Sequence, residues 1–364
     1  MRQAARGVGW IGGLTGVLLA TVVASAGIGP VTIAPTTTAR ILIDAVVVPT
    51  GFGIERTQEA ATLLGRIAPA VHVRTAPMVS LSVPETSRTI VLAIRLPRIV
   101  LGALVGFALA GAGAVMQGFF RNPMADPSII GVSSGAAVGA VATITLPIGV
   151  GLHTAAFVTG IVTAFGVYLI ATEDGRTPVA TLLLAGVAVQ TFLGAVISYM
   201  LVQSGESLQR AVFWLMGHLH SATWSDVRAT ILTVPVLFGV LLWYARDLNV
   251  LLLGEEDAET LGIEVERTKR ILLGLSALLT AAAVAVAGVI GFVGLIVPHI
   301  MRLLVGPDHR ILLPTSALGG AAFLVATDTL ARSGAAELPV GIVTAALGAP
   351  FFLYLLRRRE VHAL

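Results

Sequence analysis

The sequence predicts an all-α membrane protein, a multi-pass bundle of about ten transmembrane helices. Three observations predict it. Of the 364 residues, 56% are hydrophobic and 12% charged, roughly half the charge of a soluble domain. Apolar stretches long enough to cross about 30 Å of hydrocarbon recur along the chain. The 40 glycines suit helices that associate in lipid by close packing of small residues. A soluble enzyme, a nucleic-acid binder and a disordered chain are excluded on these grounds. With no cysteine, there is neither a disulfide nor a thiolate metal site.

The spans fall at 10–29, 97–119, 129–149, 152–171, 179–203, 227–245, 271–290, 292–305, 312–331 and 339–356. In the first, Arg2 and Arg6 precede an apolar run ending Ala24-Ser25-Ala26, which resembles a signal peptide. The run is long for that, and nine spans follow it, so an uncleaved helix is expected. The eighth span is short and interrupted by Gly294 and Pro298. The organisation is therefore an N-terminus and first helix (1–29), an external segment (30–96), spans two to six (97–245), a polar segment (246–270), and the last four spans with the C-terminus (271–364). The external segment carries Pro35, Pro49, Pro69, Pro77 and Pro84 and is expected to be irregular, with short helices.

The basic residues orient the bundle. With the N-terminus inside, one side collects Arg2, Arg6, Arg121, Arg176, Arg246, Arg267, Lys269, Arg270, Arg302, Arg310 and Arg357 to Arg359, while the other short loops keep Arg210, Arg228 and Arg332. The net charge of +3 is thus a topology signal for a cell-membrane protein with both termini cytoplasmic, and nucleic acid is not expected as a partner.

Residues 246–270 are the most polar stretch. Gly254 to Gly262 reads as a short helix with Glu255, Glu256 and Asp257 in its first turn, where the helix dipole favours acids, and with Gly262 at its C-terminal cap. Ala258 and Leu261, three apart, make a small apolar spot. Such a helix either docks in a groove of a soluble partner or is a solvated loop.

Other constellations carry less. Gly131-Val132-Ser133-Ser134-Gly135 fits a nucleophile elbow, with His153 or His299 as base, but that elbow needs a strand-to-helix turn that a membrane helix start does not offer. His218 and His220 are read as hydrogen-bonded loop residues rather than metal ligands. Asp328 is expected to pair with Arg332 one turn on, with a proton-relay role as the alternative. No phosphate-binding glycine loop occurs, so the chain has no visible means of hydrolysing ATP.

Arg95-Leu96-Pro97-Arg98, Gly111 to Gln117, Arg121-Asn122-Pro123-Met124-Ala125-Asp126-Pro127 and Gly131 to Gly135 resemble the iron-siderophore and vitamin B12 permease family of ABC importers, the FecCD type. Phe213-Trp214-Leu215-Met216-Gly217, the stretch from Leu252 to Gly262, Gly291 to His299, and Glu337 to Pro350 extend the resemblance over residues 95–358. It implies a ten-helix permease acting as a homodimer on two separate ATP-binding subunits, fed by an extracytoplasmic substrate-binding protein. No cofactor is expected on this chain, since ATP and Mg would sit on the ATPase subunits. The resemblance implies that Gly254, Glu255, Glu256, Ala258, Leu261 and Gly262 form the segment that couples to the ATPase. It further implies that Arg95, Arg98 and Arg332 meet glutamates of the binding protein, and that Gln190, Thr191, Ser198 and Tyr199 line the path. The family's cargoes are cobalamin, ferric siderophores and haem, and overall similarity leans toward its cobalamin members. An ion-coupled secondary transporter and an intramembrane serine hydrolase are the alternatives from other classes.

Overall fold

The computed structural model describes residues 2–45, 47–55, 70–77, 82–334 and 336–358. Parts of the external segment, with Pro69, and the C-terminal Arg359 lie outside the described residues. The chain begins with α1 (Arg2–Gly27) and α2 (Pro35–Asp44), followed by β1 (Val47–Glu55) and β2 (Ala70–Pro77). The strands pair antiparallel, Val47 opposite Pro77 and Glu55 opposite Ala70. The external segment is thus a helix and a two-stranded ribbon; alternating Val, Phe and Ile over 47–54 is the pattern that favours strand.

α3 (Glu85–Thr89) runs through a π-helical turn, Ile90–Arg95, into α4 (Leu96–Phe119). Together they form one 35-residue apolar helix, the central post of the bundle. Then come α5 (Val132–Thr145), α6 (Leu152–Ala171), α7 (Val179–Val202) and the short α8 (Leu208–Leu215). The sixth span is split into α9 (Trp224–Ile231) and α10 (Thr233–Trp243). Pro235 explains the split, because its ring clashes with the carbonyl four residues back, that of Ile231, and offers no N–H to it. α11 (Ala245–Leu251) and α12 (Glu255–Thr260) make up the polar segment, and α13 (Val265–Ala287), α14 (Val293–Val305), α15 (His309–Ala331) and α16 (Val340–Arg358) complete the chain.

Among the described residues, seven helices are long and apolar enough to cross a membrane, and three shorter apolar helices, Val132–Thr145, Val293–Val305 and Val340–Tyr354, accompany them. They correspond one to one with the ten expected spans. The third is shorter than its apolar run because Pro127–Ile130 forms a 3-10 turn before α5, closed by Gly131 at φ 81°. The eighth keeps Pro298 inside a continuous helix, and the chain breaks before it, at Gly288 and at Phe292 with φ 69°.

α4 is held by α13, α14 and α15. Glycine makes this possible at two crossings. A Cβ on Gly106 would run into the Gly320 carbonyl of α15, and one on Gly113 into the Gly294 carbonyl of α14. Backbones that approach this closely gain dispersion contacts that larger side chains would forbid. Around them Leu101, Val105, Leu109, Leu279, Leu312 and Leu324 form the buried core. α1, α6 and α7 sit outside it and keep wide apolar faces uncovered.

The loops gather at two ends, as alternating spans require. At one, Arg6 donates to the Leu304 carbonyl (3.3 Å) and the Asn249 amide to Asp308 (2.7 Å). At the other, Arg98 reaches Asp328, and the Trp224 indole donates to the Leu92 carbonyl (3.0 Å).

Candidate functional site

At the first end, α12 is a helix of one and a half turns with both limits fixed. Gly254 opens it at φ 129° and Gly262 closes it at φ 84°. The Gly262 N–H donates to the Glu259 carbonyl and the Ile263 N–H to the Ala258 carbonyl, both at 3.0 Å, the bond pair of a Schellman cap. The packing around this cap corrects one expectation. Ala258 and Leu261 do not share an outward apolar spot: Ala258 is fully buried, beneath Ile263, whereas Leu261 lies past the helix end and is 62% exposed. The helical spacing itself holds, with the Leu261 N–H donating to the Asp257 carbonyl (3.1 Å), but Ala258 lies on the side packed against the bundle and Leu261 does not. The outward apolar pair is Leu253 and Leu261, and Glu256, Asp257 and Glu259 are exposed around it. A shallow cleft beside them is lined by Arg121, Leu253, Gly254, Glu255, Glu256 and Asp257.

What fixes α12 to the bundle is Lys269, the chain's single lysine, whose place in the sequence marks it only as one of the basic residues that orient the bundle. Its ammonium is buried and donates to the Thr177 carbonyl (2.8 Å) and to Glu266 (2.8 Å), with Glu255 of α12 at 3.2 Å. The Thr177 N–H in turn donates to Glu266 (3.2 Å). One cation therefore ties α12, α13 and the turn before α7. The sequence clue was available: a lone lysine three residues after one glutamate in a chain that otherwise uses arginine. Lys269→Met is expected to cost about 2–4 kcal/mol, because two carboxylates and a carbonyl lose their shared partner. The measurement is the thermal midpoint in detergent. Arg267→Met, whose pair with Glu264 is exposed, is expected to change it little.

At the opposite end the three arginines expected on an exposed rim lie beneath it. Arg95 and Arg332 are each 4% exposed. Arg95 donates to the carbonyls of Ala26 (2.8 Å) and Val31, and Arg332 to the Ser25 carbonyl (2.6 Å) and hydroxyl (2.5 Å). Both therefore cap the carbonyl-rich end of α1. Arg98 forks onto Asp328 (2.8 and 2.9 Å) and also meets the half-exposed Glu337. Asp328 thus belongs first to Arg98. The expected partner Arg332 stands second, at 3.6 Å, because the fork supplies parallel donors that a single approach from one helical turn away does not.

α7 is the most uncovered of the inner-sequence helices. Thr191, Ser198 and Tyr199 line its open stripe together with Leu184 and Val202. The hydroxyls of Thr191 and Ser198 donate to their own helix at Val187 and Gly194, leaving their lone pairs outward. Gln190 is off this stripe. Its amide is turned inward to the Ile129 carbonyl (2.7 Å), where α7 packs on the 3-10 turn with Gly186 allowing the approach. Ser133 sits in the first turn of α5, preceded by that 3-10 turn rather than by a strand, so no nucleophile elbow forms.

The FecCD transport family model matches residues 17–358. The chain belongs to the FecCD transport family. As a FecCD protein it is a multi-pass membrane permease. It is 58% identical, over the whole of both chains, to a cobalamin import system permease protein of Halobacterium salinarum. It is 44% identical to a hemin transport system permease protein of Yersinia pestis, over 73% of this chain and 83% of that one. A vitamin B12 import system permease protein of Escherichia coli is 41% identical over 72% of this chain and 82% of its own length. Among solved structures, an inward-facing metal-chelate type ABC transporter shares 31% identity and a TM-score of 0.76, covering 96% of this FecCD chain and 98% of that one.

Proposed function

We propose that this permease is the membrane subunit of a binding-protein-dependent ABC importer that carries cobalamin inward by alternating access. The observation that carries the reading is α12: a capped acidic helix, locked to α13 by Lys269 and presenting Glu256, Asp257 and Leu261 outward. A soluble subunit that changes shape on binding ATP can push on such a helix. In this reading the end with α12 is cytoplasmic, as are both termini, and ATP and Mg belong to two partner ATPase subunits. The open stripe of α7 faces a second copy of the chain across the path. The binding protein docks at the other end, where the Arg98–Glu337 pair reaches the surface and Arg95 and Arg332 hold α1 and α15 in shape beneath it. The full-length likeness to the Halobacterium cobalamin permease favours cobalamin over ferric siderophores, and the Yersinia likeness makes haem the second reading.

The test is uptake of labelled aquocobalamin into vesicles holding the permease, its ATPase and its binding protein. Uptake is expected to require ATP and to survive a protonophore; the reverse would favour an ion-coupled carrier. Glu256→Arg inverts charge on an exposed side chain, so folding is expected to be intact while uptake and substrate-stimulated ATP hydrolysis fall at least about tenfold, as like charges at an interface cost a few kcal/mol. Unchanged transport in that variant would remove α12 from the coupling.

A further inference from the structure

Between the end of α5, the start of α6 and the loop after α8 lies a cavity of about 480 Å³. It is at the end of the bundle opposite α12, since α7 runs 24 residues, about 36 Å, from the Lys269 tie to the approach to α8. Three rings crowd one wall. His220 stands edge-on to Phe213 (4.9 Å between centroids) and to His218 (4.6 Å), and His218 stacks on Phe213 (5.6 Å). His220 is exposed to the cavity, while His218 is half-buried behind it, its Nδ1 buried with no hydrogen-bond partner. Ile144 and Leu152 make the facing side apolar. His153 at the mouth is engaged by Asp226 (3.4 Å).

Among the described residues, no three His, Cys, Asp or Glu side chains come together to hold a metal ion. A bare cation therefore has no cage here. A metal whose four in-plane positions are already filled by a flat macrocycle needs one axial nitrogen, and a flat macrocycle also suits a wall of aromatic rings. We infer that His220 is an axial ligand for the metal of a tetrapyrrole entering the permease, with His218 and Phe213 as residues that hold its ring in place. The step is a ligand exchange. The imidazole lone pair forms the bond to the metal, a bound water leaves, and the metal keeps its oxidation state. The inference deepens the proposed function by naming the chemistry that the mouth of the path selects: a metal chelate with an exchangeable axial position.

The experiment uses the full chain in detergent, without ATP or partners, titrated with aquocobalamin, with ferric haem, and with cyanocobalamin, whose axial positions are held by tight ligands. A shift of the visible bands of aquocobalamin, or of the Soret band of haem, is expected, and which of the two responds identifies the cargo ring. Cyanocobalamin is expected to show no shift. His220→Ala should abolish the shift or weaken the apparent affinity at least about tenfold, whereas His218→Phe, which keeps a ring behind His220, should retain it. No shift with either exchangeable chelate, or one that persists in His220→Ala, overturns the assignment. Since the readout is spectroscopic, its failure is distinct from failure of ATP-driven uptake.

Discussion

Replacing Asp328 with alanine is expected to destabilise the permease by about 3–5 kcal/mol, the cost of leaving a buried cation without its counter-charge. The Arg98 fork keeps two short bonds to this carboxylate, and both side chains are nearly closed off, at 11% and 3% exposure. Glu337 remains to Arg98 after the substitution, but it is 41% exposed, so water screens it and it replaces little of the loss. The consequence spreads because Arg98 stands on α4, the central post, and Asp328 on α15. The check is a double-mutant cycle read as thermal midpoints in detergent. Arg98→Met with Asp328→Leu, which removes both charges and refills the volume, should be milder than Asp328→Ala alone. A cycle in which the double variant is the worse would show that the pair does not act as a buried ion pair.

Gly113→Val is expected to prevent recovery of folded protein. An overpacked side chain ordinarily costs about 1–3 kcal/mol because neighbours rotate aside. Here the obstacle is the Gly294 carbonyl and its Cα, which cannot move without separating α4 from α14. The measure is the yield of monodisperse protein on size exclusion. Gly166→Val is the control, since a Cβ on Gly166 meets nothing within 4 Å and faces outward from α6. Loss of both variants alike would mean that valine propensity, rather than the crossing, is responsible.

The ten spans were legible because length and apolarity are one-dimensional properties, and the alternation of basic loops needs only a count. The fate of individual polar groups was less so. Arg95 and Arg332 were visible at helix ends, yet a sequence cannot say that the carbonyls of Ala26 and Ser25 stand within reach of them. Asp328 and Arg332 are four residues apart on paper, and the pair they suggested forms at 3.6 Å but comes second to Arg98, 230 residues away. Helical spacing put Ala258 and Leu261 side by side, but only tertiary packing decides that the first is buried and the second exposed. The strands of the external segment were hidden by prolines that punctuate the ribbon rather than prevent it. His218 and His220 looked like isolated loop residues because Phe213, which brings their rings together, belongs to the preceding helix.

The Lys269 clamp has a mechanical corollary. Between Thr260 and Val265 only four residues intervene, two of them engaged by the Schellman cap, and the ammonium spans the gap from the other side. The knuckle therefore has no slack to absorb strain. In the proposed reading, a partner that tips α12 turns the foot of α13 with it, and through Thr177 the foot of α7, so the stroke enters the bilayer as a crank throw rather than as tension on a tether.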